Sequence, residues 1–329
     1  MELTLDINPE ELTTYLHDQS WIAAKEAVIR IEKPGEGNMN RVLRAITSTG
    51  SIILKQATEF VVKYPDIPAP ISRIDVEQQF YQLAAVIPAI QNRQPTIMGF
   101  DGDNHVLAME DLGSASDFTF LYQSGKVLTD DQATLIGNSL QALHGHEFPD
   151  DTVNHFPKNY ELRKLNHQHI FELPFMTENS FDLDGFTPGL QEVSLKHKSD
   201  EGLKTAASNL GEVYLGNGTN LLHGDYYPGS WLNTDKGFQL IDPEFSFFGP
   251  PEFDLGVLLA HLKLSEQPES IRAIILKSYT SEVDETLLQQ FEGIEIMRRL
   301  IGLAQLPLSM DLDRKSKLLQ YAHQQVMKA

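Results

Sequence analysis

The chain has 329 residues, 41% hydrophobic and 22% charged, the balance of a folded protein with enough length for one large domain or two modest ones. Its 26 Lys and Arg against 46 Asp and Glu leave a net charge of −20, which argues against nucleic acid or anionic membrane as partners, because such faces need clustered cations. The absence of cysteine excludes disulfides, thiolate metal sites and a Cys nucleophile together, and fits a reducing compartment.

The opening segment, MELTLDINPEEL, has neither a basic region nor an apolar signal core, so cytosol is the expected address. No run approaches the roughly 20 apolar residues of a spanning helix. Asn8-Pro9-Glu10-Glu11 sets an N-cap residue, Pro at the first helical position and carboxylates in the first turn, which predicts a helix to about Gln19. Residues 27–31, 41–46 and 51–54 are short β-rich runs separated by Gly or Ser/Thr turns, read as three antiparallel strands. Ile74, Val76, Phe80 and Leu83 predict a helix over 74–85. Residues 96–100 and 105–109 flank Asp101-Gly102-Asp103-Asn104, a hairpin turn between two more strands.

Beyond Glu110-Asp111-Leu112-Gly113 the pattern turns helical, most clearly over 130–144. This predicts an N-terminal α+β lobe over 1–111 and a larger, mainly helical lobe over 112–329. Residues 175–200 are rich in Ser, Thr, Asp, Gly and Pro without sustained periodicity, expected as a long excursion near a site or as a mobile loop.

The chemistry concentrates in Leu221-Leu222-His223-Gly224-Asp225-Tyr226-Tyr227-Pro228-Gly229-Ser230 and in Gln239-Leu240-Ile241-Asp242-Pro243-Glu244-Phe245. One apolar run delivers an Asp to a tight loop, and a second delivers two more carboxylates. Taken singly, each would be a turn cap or a surface acid. In this order they have the spacing of a kinase catalytic loop followed by its metal site. Phosphoryl transfer needs a carboxylate to accept or orient the acceptor hydroxyl, the role Asp225 fits. It also needs oxygen ligands for Mg²⁺ on the triphosphate, the role Asp242 and Glu244 fit.

The segment resembles the aminoglycoside phosphotransferase and choline kinase superfamily, and within it the methylthioribose kinases. Gly229-Ser230 stands where most of the superfamily has Asn, and Asp242-Pro243-Glu244-Phe245-Ser246-Phe247-Phe248-Gly249-Pro250 with Phe253-Asp254-Leu255-Gly256 is similar to that branch. The likeness extends along most of the chain. Gly35-Glu36-Gly37-Asn38-Met39-Asn40 is similar to the family's phosphate loop, Leu54-Lys55-Gln56 to its Lys strand, Met109-Glu110-Asp111-Leu112 to its hinge, and Arg298-Arg299 to its C-terminal Arg pair. Two residues depart from the branch: Tyr227 replaces a usual His and Pro228 a usual Thr. No carboxylate stands at Ala207-Ser208-Asn209, where the branch holds sugar hydroxyls.

The resemblance implies a two-lobed, protein-kinase-like fold and a role for each matching residue. Gly35 and Gly37 let backbone approach phosphates, while Asn38 and Asn40 supply amide donors. Lys55, partnered by Glu77 on the following helix, meets the α and β phosphates. The Glu110 carbonyl, with Leu112 beside it, receives adenine. Ser230 joins Asp242 and Glu244 in the metal set, and Asp254 braces the catalytic loop. Arg298 and Arg299 imply contact with substrate or phosphate, and one of the two is expected in the cleft. Tyr227 and Trp231 are candidates for an apolar substrate wall. The expected activity is ATP- and Mg²⁺-dependent phosphorylation of a small-molecule hydroxyl, foremost a sugar such as 5-methylthioribose. An aminoglycoside, choline or amino-alcohol kinase and a catalytically silent nucleotide-binding module are the alternatives. A homodimer is left open.

Overall fold

The computed structural model describes residues 2–35 and 37–328. Glu36 of the phosphate loop lies outside the described residues. The chain divides into two compact units, one of Met1–Ser116 with Asn233–Phe245, the other of Asp117–Leu232 with Ser246–Ala329. The return of 233–245 to the first unit groups Asp242 and Glu244 with Lys55 and Glu77.

In the first unit, α1 (Pro9–Asp18) precedes β1 (Val28–Glu32), β2 (Arg41–Thr47), β3 (Ser51–Gln56), β4 (Phe60–Val61), β5 (Tyr64–Pro68), α2 (Arg73–Ala84), β6 (Ile97–Asp101) and β7 (Val106–Glu110). The Asn8 side chain accepts from the Glu10 N–H at 2.7 Å, so α1 starts where its N-cap signal placed it. Among the described residues, a sheet of five strands runs in the order β1-β2-β3-β7-β6, every neighbouring pair antiparallel. One core joins Leu12 and Leu16 of α1 to Leu43, Ala45, Ile52, Leu54, Val106 and Ala108 of the sheet. The β4–β5 ribbon escaped the sequence reading because Pro65 and Pro68 suppress a strand signal. It backs the phosphate loop: the N–H groups of Val62 and Lys63 donate to the carbonyls of Met39 and Asn38.

A short β8 (Ser116–Asp117) leads to the second unit, which carries α3 (Asp130–His144), α4 (Asp150–His155), α5 (Tyr160–His167), α6 (Leu190–Lys198), α7 (Glu201–Leu215) and β9 (Asn220–Leu222). β10 (Trp231–Thr234) carries the chain back to the first unit, where β11 (Gly237–Leu240) lies. After them come β12 (Phe247–Gly249), α8 (Glu252–Leu264), α9 (Glu269–Ser278), α10 (Glu285–Ile301) and α11 (Leu312–Val326). A capping box of Thr129 and Gln132 starts α3. Residues 190–198, expected within an irregular excursion, form helix α6. Its buried side chains are Leu190, Ser194, His197 and Lys198, so the inward face is mostly polar and carries no hydrophobic period.

The elements that hold the chemistry in this unit are β9, α8 and α10. Pairing of Phe247 with Leu222 and of Gly249 with Asn220 joins β12 to β9, whose last residue immediately precedes His223. α10 is packed on both sides. A Cβ on Gly256 of α8 would stand 2.7 Å from the Phe291 Cβ and 3.0 Å from the Glu292 backbone nitrogen, and one on Gly293 would stand 2.6 Å from the Ala322 carbonyl of α11. Glycine at both crossings lets the backbones approach closely. Gly256→Ala is therefore expected to cost about 1–3 kcal/mol through overpacking against a backbone that cannot yield. A urea midpoint equal to wild type, at equal slope, would contradict this close approach.

Candidate active site

Lys55 lies near the end of β3 with 3% of its surface exposed. Its Nζ meets Glu77 Oε2 of α2 at 2.6 Å and Asp242 Oδ1 at 2.7 Å. Burial alone favours a neutral amine, but the carboxylates of Asp242 and Glu77 outweigh it and hold Lys55 charged, well above its ordinary value. Burial pushes Glu77 upward. Asp242 follows β11 with φ of 62°, a left-handed conformation costly for a residue with a Cβ. Its N–H donates to the Tyr81 hydroxyl at 3.2 Å, and its side chain remains 52% exposed.

Glu244 is buried. Burial pushes its carboxyl up from the usual range, and Asn40 Nδ2 donates to its Oε2 at 2.8 Å. The structure therefore directs the Asn40 amide to Glu244, where the sequence reading assigned it to phosphate, because a buried carboxylate needs a donor. Gly35, Gly37 and Asn38 are exposed. Arg73, at the start of α2, was missed by sequence reasoning, and one Arg in an otherwise ordinary helix start gives little signal. It is fully buried and donates to Asn40 Oδ1 at 2.9 Å and to the carbonyls of Thr58, Pro70 and Met39, with its Nε 3.4 Å from Glu244 Oε2. A single guanidinium thus ties the end of the phosphate loop to Glu244.

At the expected hinge, the Glu110 N–H donates to the Thr96 carbonyl at 2.8 Å. Its carboxylate accepts from the Thr96 N–H at 3.1 Å and pairs with Lys236. Asp111 takes a bidentate bond from Arg44 at 2.7 and 2.9 Å, and Leu112 beside it is half-buried.

In the second unit, β9 runs into a turn that Gly224 makes with φ of 82°. Asp254, in the first turn of α8, accepts the His223 N–H at 2.6 Å and the Gly224 N–H at 3.0 Å. This is the bracing expected of it. The turn presents Asp225 with its side chain 23% exposed and Oδ1 3.7 Å from Arg299 Nη2. Ser230 is buried, and its hydroxyl donates to the Asp225 carbonyl at 2.8 Å. It staples the loop shut, whereas the sequence reading placed it in the metal set. Trp231 is fully buried and packs edge-on against Phe118 and obliquely against Tyr226. That makes it a core residue where a substrate wall was expected, because the strand that follows the loop turns it inward. Tyr227 is only half-buried, with the Arg299 guanidinium 4.9 Å from its ring centroid.

Both arginines of the pair converge on one carboxylate. Glu295 accepts from Arg298 Nη1 at 3.2 and 3.0 Å and from Arg299 Nε at 2.6 Å. Although burial opposes it, the charges of Arg298 and Arg299 hold Glu295 well below the ordinary carboxylate range. His261 Nε2 lies 3.1 Å from Glu295 Oε1 and its Nδ1 is 2.6 Å from the Tyr122 hydroxyl. Because Glu295 is an anion, Nε2 carries the proton and Nδ1 accepts from Tyr122. Sequence reasoning missed Glu295 and His261. The spacing of Glu295 to Arg298 and Arg299, one helical turn, was the available signal for Glu295.

A family model described as the phosphotransferase enzyme family matches residues 30–289, and the chain belongs to that family. Among its relatives, the methylthioribose kinase of Bacillus cereus (strain G9842) is 26% identical over 301 residues, which cover 86% of this chain and 74% of that protein. Methylthioribose kinase 1 of Oryza sativa subsp. japonica is 26% identical over 254 residues, covering 72% of this chain and 56% of that one. Among solved structures, spectinomycin phosphotransferase APH(9)-Ia in complex with ADP and spectinomycin superposes with a TM-score of 0.58 at 14% identity, covering 98% of each chain. The choline kinase LicA from Streptococcus pneumoniae gives 0.51 at 16% identity, covering 96% of this chain and 98% of that one. The α+β fold is therefore the one shared by aminoglycoside phosphotransferases and choline kinases, and the chain is a small-molecule phosphotransferase. Among the described residues no helix is long and apolar enough to cross a membrane.

Burial lowers the pKa of His261 from 6.5 to about 4. The unfolded chain takes up this proton below about pH 6.5 and the folded chain only near pH 4, so stability is expected to fall as pH drops through that window. The loss amounts to roughly 3 kcal/mol from this group. His197 is lowered to about 4 as well and adds in the same direction. Urea midpoints between pH 4 and 7 should drop less steeply in His261→Gln; equal slopes in both proteins would show that His261 does not contribute.

Proposed function

We propose that this protein transfers the γ-phosphoryl group of ATP to a hydroxyl of a small sugar, foremost 5-methylthioribose. The observation that carries the reading is Asp225, a partly open carboxylate on a turn whose two preceding N–H groups are both held by buried Asp254. The relatives of 26% identity that span most of the chain support the acceptor class. Asp225 accepts or orients the proton of the attacking hydroxyl. Lys55, its charge secured by Glu77, positions the α and β phosphates, and the exposed Gly35, Gly37 and Asn38 approach them with backbone and amide donors. The Glu110 carbonyl and Leu112 receive the adenine.

The donor chemistry suits Mg²⁺. Asp242 offers a half-exposed hard oxygen and Glu244 a second carboxylate, and Mg²⁺ needs only one or two carboxylates beside substrate phosphates. When bound, the ion compensates the charge of the triphosphate oxygens. Asp242 would hold it, while Asn40 and Arg73 fix the orientation of Glu244.

A cationic amino-alcohol acceptor is the second reading. The observation that favours it is Glu295, whose carboxylate pairs with both arginines and offsets one of their two charges, which weakens the reason to expect rejection of cations. A panel of sugars and amino alcohols with ATP and Mg²⁺, read as ADP release, separates the two. On the acceptor so found, Asp225→Asn should lower kcat by about two orders of magnitude or more with MgATP affinity nearly unchanged. A well-folded Asp225→Asn protein with near-normal kcat would overturn the assignment. Lys55→Met should lower turnover in a protein that still folds but melts at a lower temperature, because Glu77 stays buried without its counter-charge, checked by activity and thermal melting together. Wild-type turnover would remove Lys55 from the phosphate site.

A further inference from the structure

We propose that Glu295 is a positioning residue that acts on Asp225 through Arg299, holding the guanidinium close enough to act by charge and too far away to seal the carboxylate. The proposal rests on the catalytic reading of Asp225.

Glu295 is 1% exposed, and burying a carboxylate costs several kcal/mol that an apolar residue of similar volume would not incur. Stability alone gives no reason for the choice. Geometry does. Arg299 Nε is bound to Glu295 Oε1 at 2.6 Å, which fixes one edge of the planar guanidinium. Its central carbon lies 4.9 Å from the Tyr227 ring centroid, a second contact that restrains the group. Held by these two contacts, Nη2 lies 3.7 Å from Asp225 Oδ1, beyond hydrogen-bond length and within strong Coulombic reach.

The surroundings keep Glu295 fully charged for this task. His261 is neutral, since burial lowers its pKa, and its Nε2–H donates to Glu295 while Tyr122 fixes the tautomer from the other side. Arg298 takes the remaining capacity of the carboxylate. Two guanidiniums and two carboxylates, Glu295 and Asp225, then balance. Without the negative charge of Glu295, Arg299 is released toward Asp225. A bidentate Arg–carboxylate pair there would occupy the lone pairs that the acceptor hydroxyl needs.

The test compares wild type, Glu295→Gln, Arg299→Lys and the double variant. ADP release is measured with Mg²⁺, ATP and the acceptor found by the panel, or with water as acceptor where the panel finds none. Glu295→Gln should lose about 10–100-fold in kcat with the KM for MgATP within about twofold of wild type. The double variant should be no slower than Arg299→Lys alone, because a residue acting through Arg299 adds nothing once Arg299 is changed. Independently of activity, the Arg299 Nε–H resonance, assigned by its absence in Arg299→Lys, should exchange slowly with water in wild type and fast in Glu295→Gln. Wild-type kcat in folded Glu295→Gln, multiplicative effects in the double variant, or an unchanged Nε–H exchange would each overturn the proposal. Should Glu295→Gln fail to fold, Arg299→Lys decides. A lysine cannot reach both carboxylates at once, so full turnover overturns the proposal and a tenfold loss at constant KM supports it. An inactive Asp225→Asn beside a fully active Glu295→Gln rejects the positioning role alone. An active Asp225→Asn, or no turnover by wild type, rejects the catalytic reading and the positioning role with it.

Discussion

A charge withdrawn from water costs several kcal/mol unless another charge meets it at hydrogen-bond distance, and each chemistry-bearing cluster of this protein obeys that constraint. Lys55 is buried between Glu77 and Asp242. Arg73 is buried against Asn40, three carbonyls and Glu244. Arg298 and Arg299 share Glu295. Each functional side chain is oriented by its counter-charge, so removing one partner disturbs a whole cluster.

The pairing also decides what the clusters can recognise. A free pair of arginines would read as an anion receptor. In the same pair clamped by a buried carboxylate, one of the two charges is offset, and Arg299 Nη2 lies 3.7 Å from Asp225. Asp242 is the reverse case. One of its oxygens secures Lys55 while its side chain stays half open, and its left-handed backbone stores strain of the kind found at functional residues.

Rigid backbone supports both arrangements. Asp254 ties down two consecutive N–H groups before Asp225, and Ser230 ties the loop from the other side. The α8–α10 crossing at Gly256 brings His261 and Glu295 into register. In the first unit the β4–β5 ribbon supports the phosphate loop through backbone bonds, which leaves Gly35, Gly37 and Asn38 exposed.

Local signals determined much of this protein by sequence alone. The N-cap at Asn8, the β-rich runs and hairpin turn of the first unit, the helical pattern over 130–144 and the order of His223, Asp225, Asp242 and Glu244 are written within a few residues each. They depend on backbone geometry and short-range hydrogen bonds. The tertiary structure alone decided where the polar groups between those signals turn. Asn40 faces Glu244, Ser230 faces a carbonyl, Trp231 enters the core, and helix α6 hides a polar face. Arg73, His261 and Glu295 acquire their meaning only from partners 34 to 171 positions away or from a neighbouring helix turn that sequence reading passed over. The reason is physical: a buried polar group is satisfied by whichever donor or charge the packed chain brings to it, and that partner has no fixed sequence spacing.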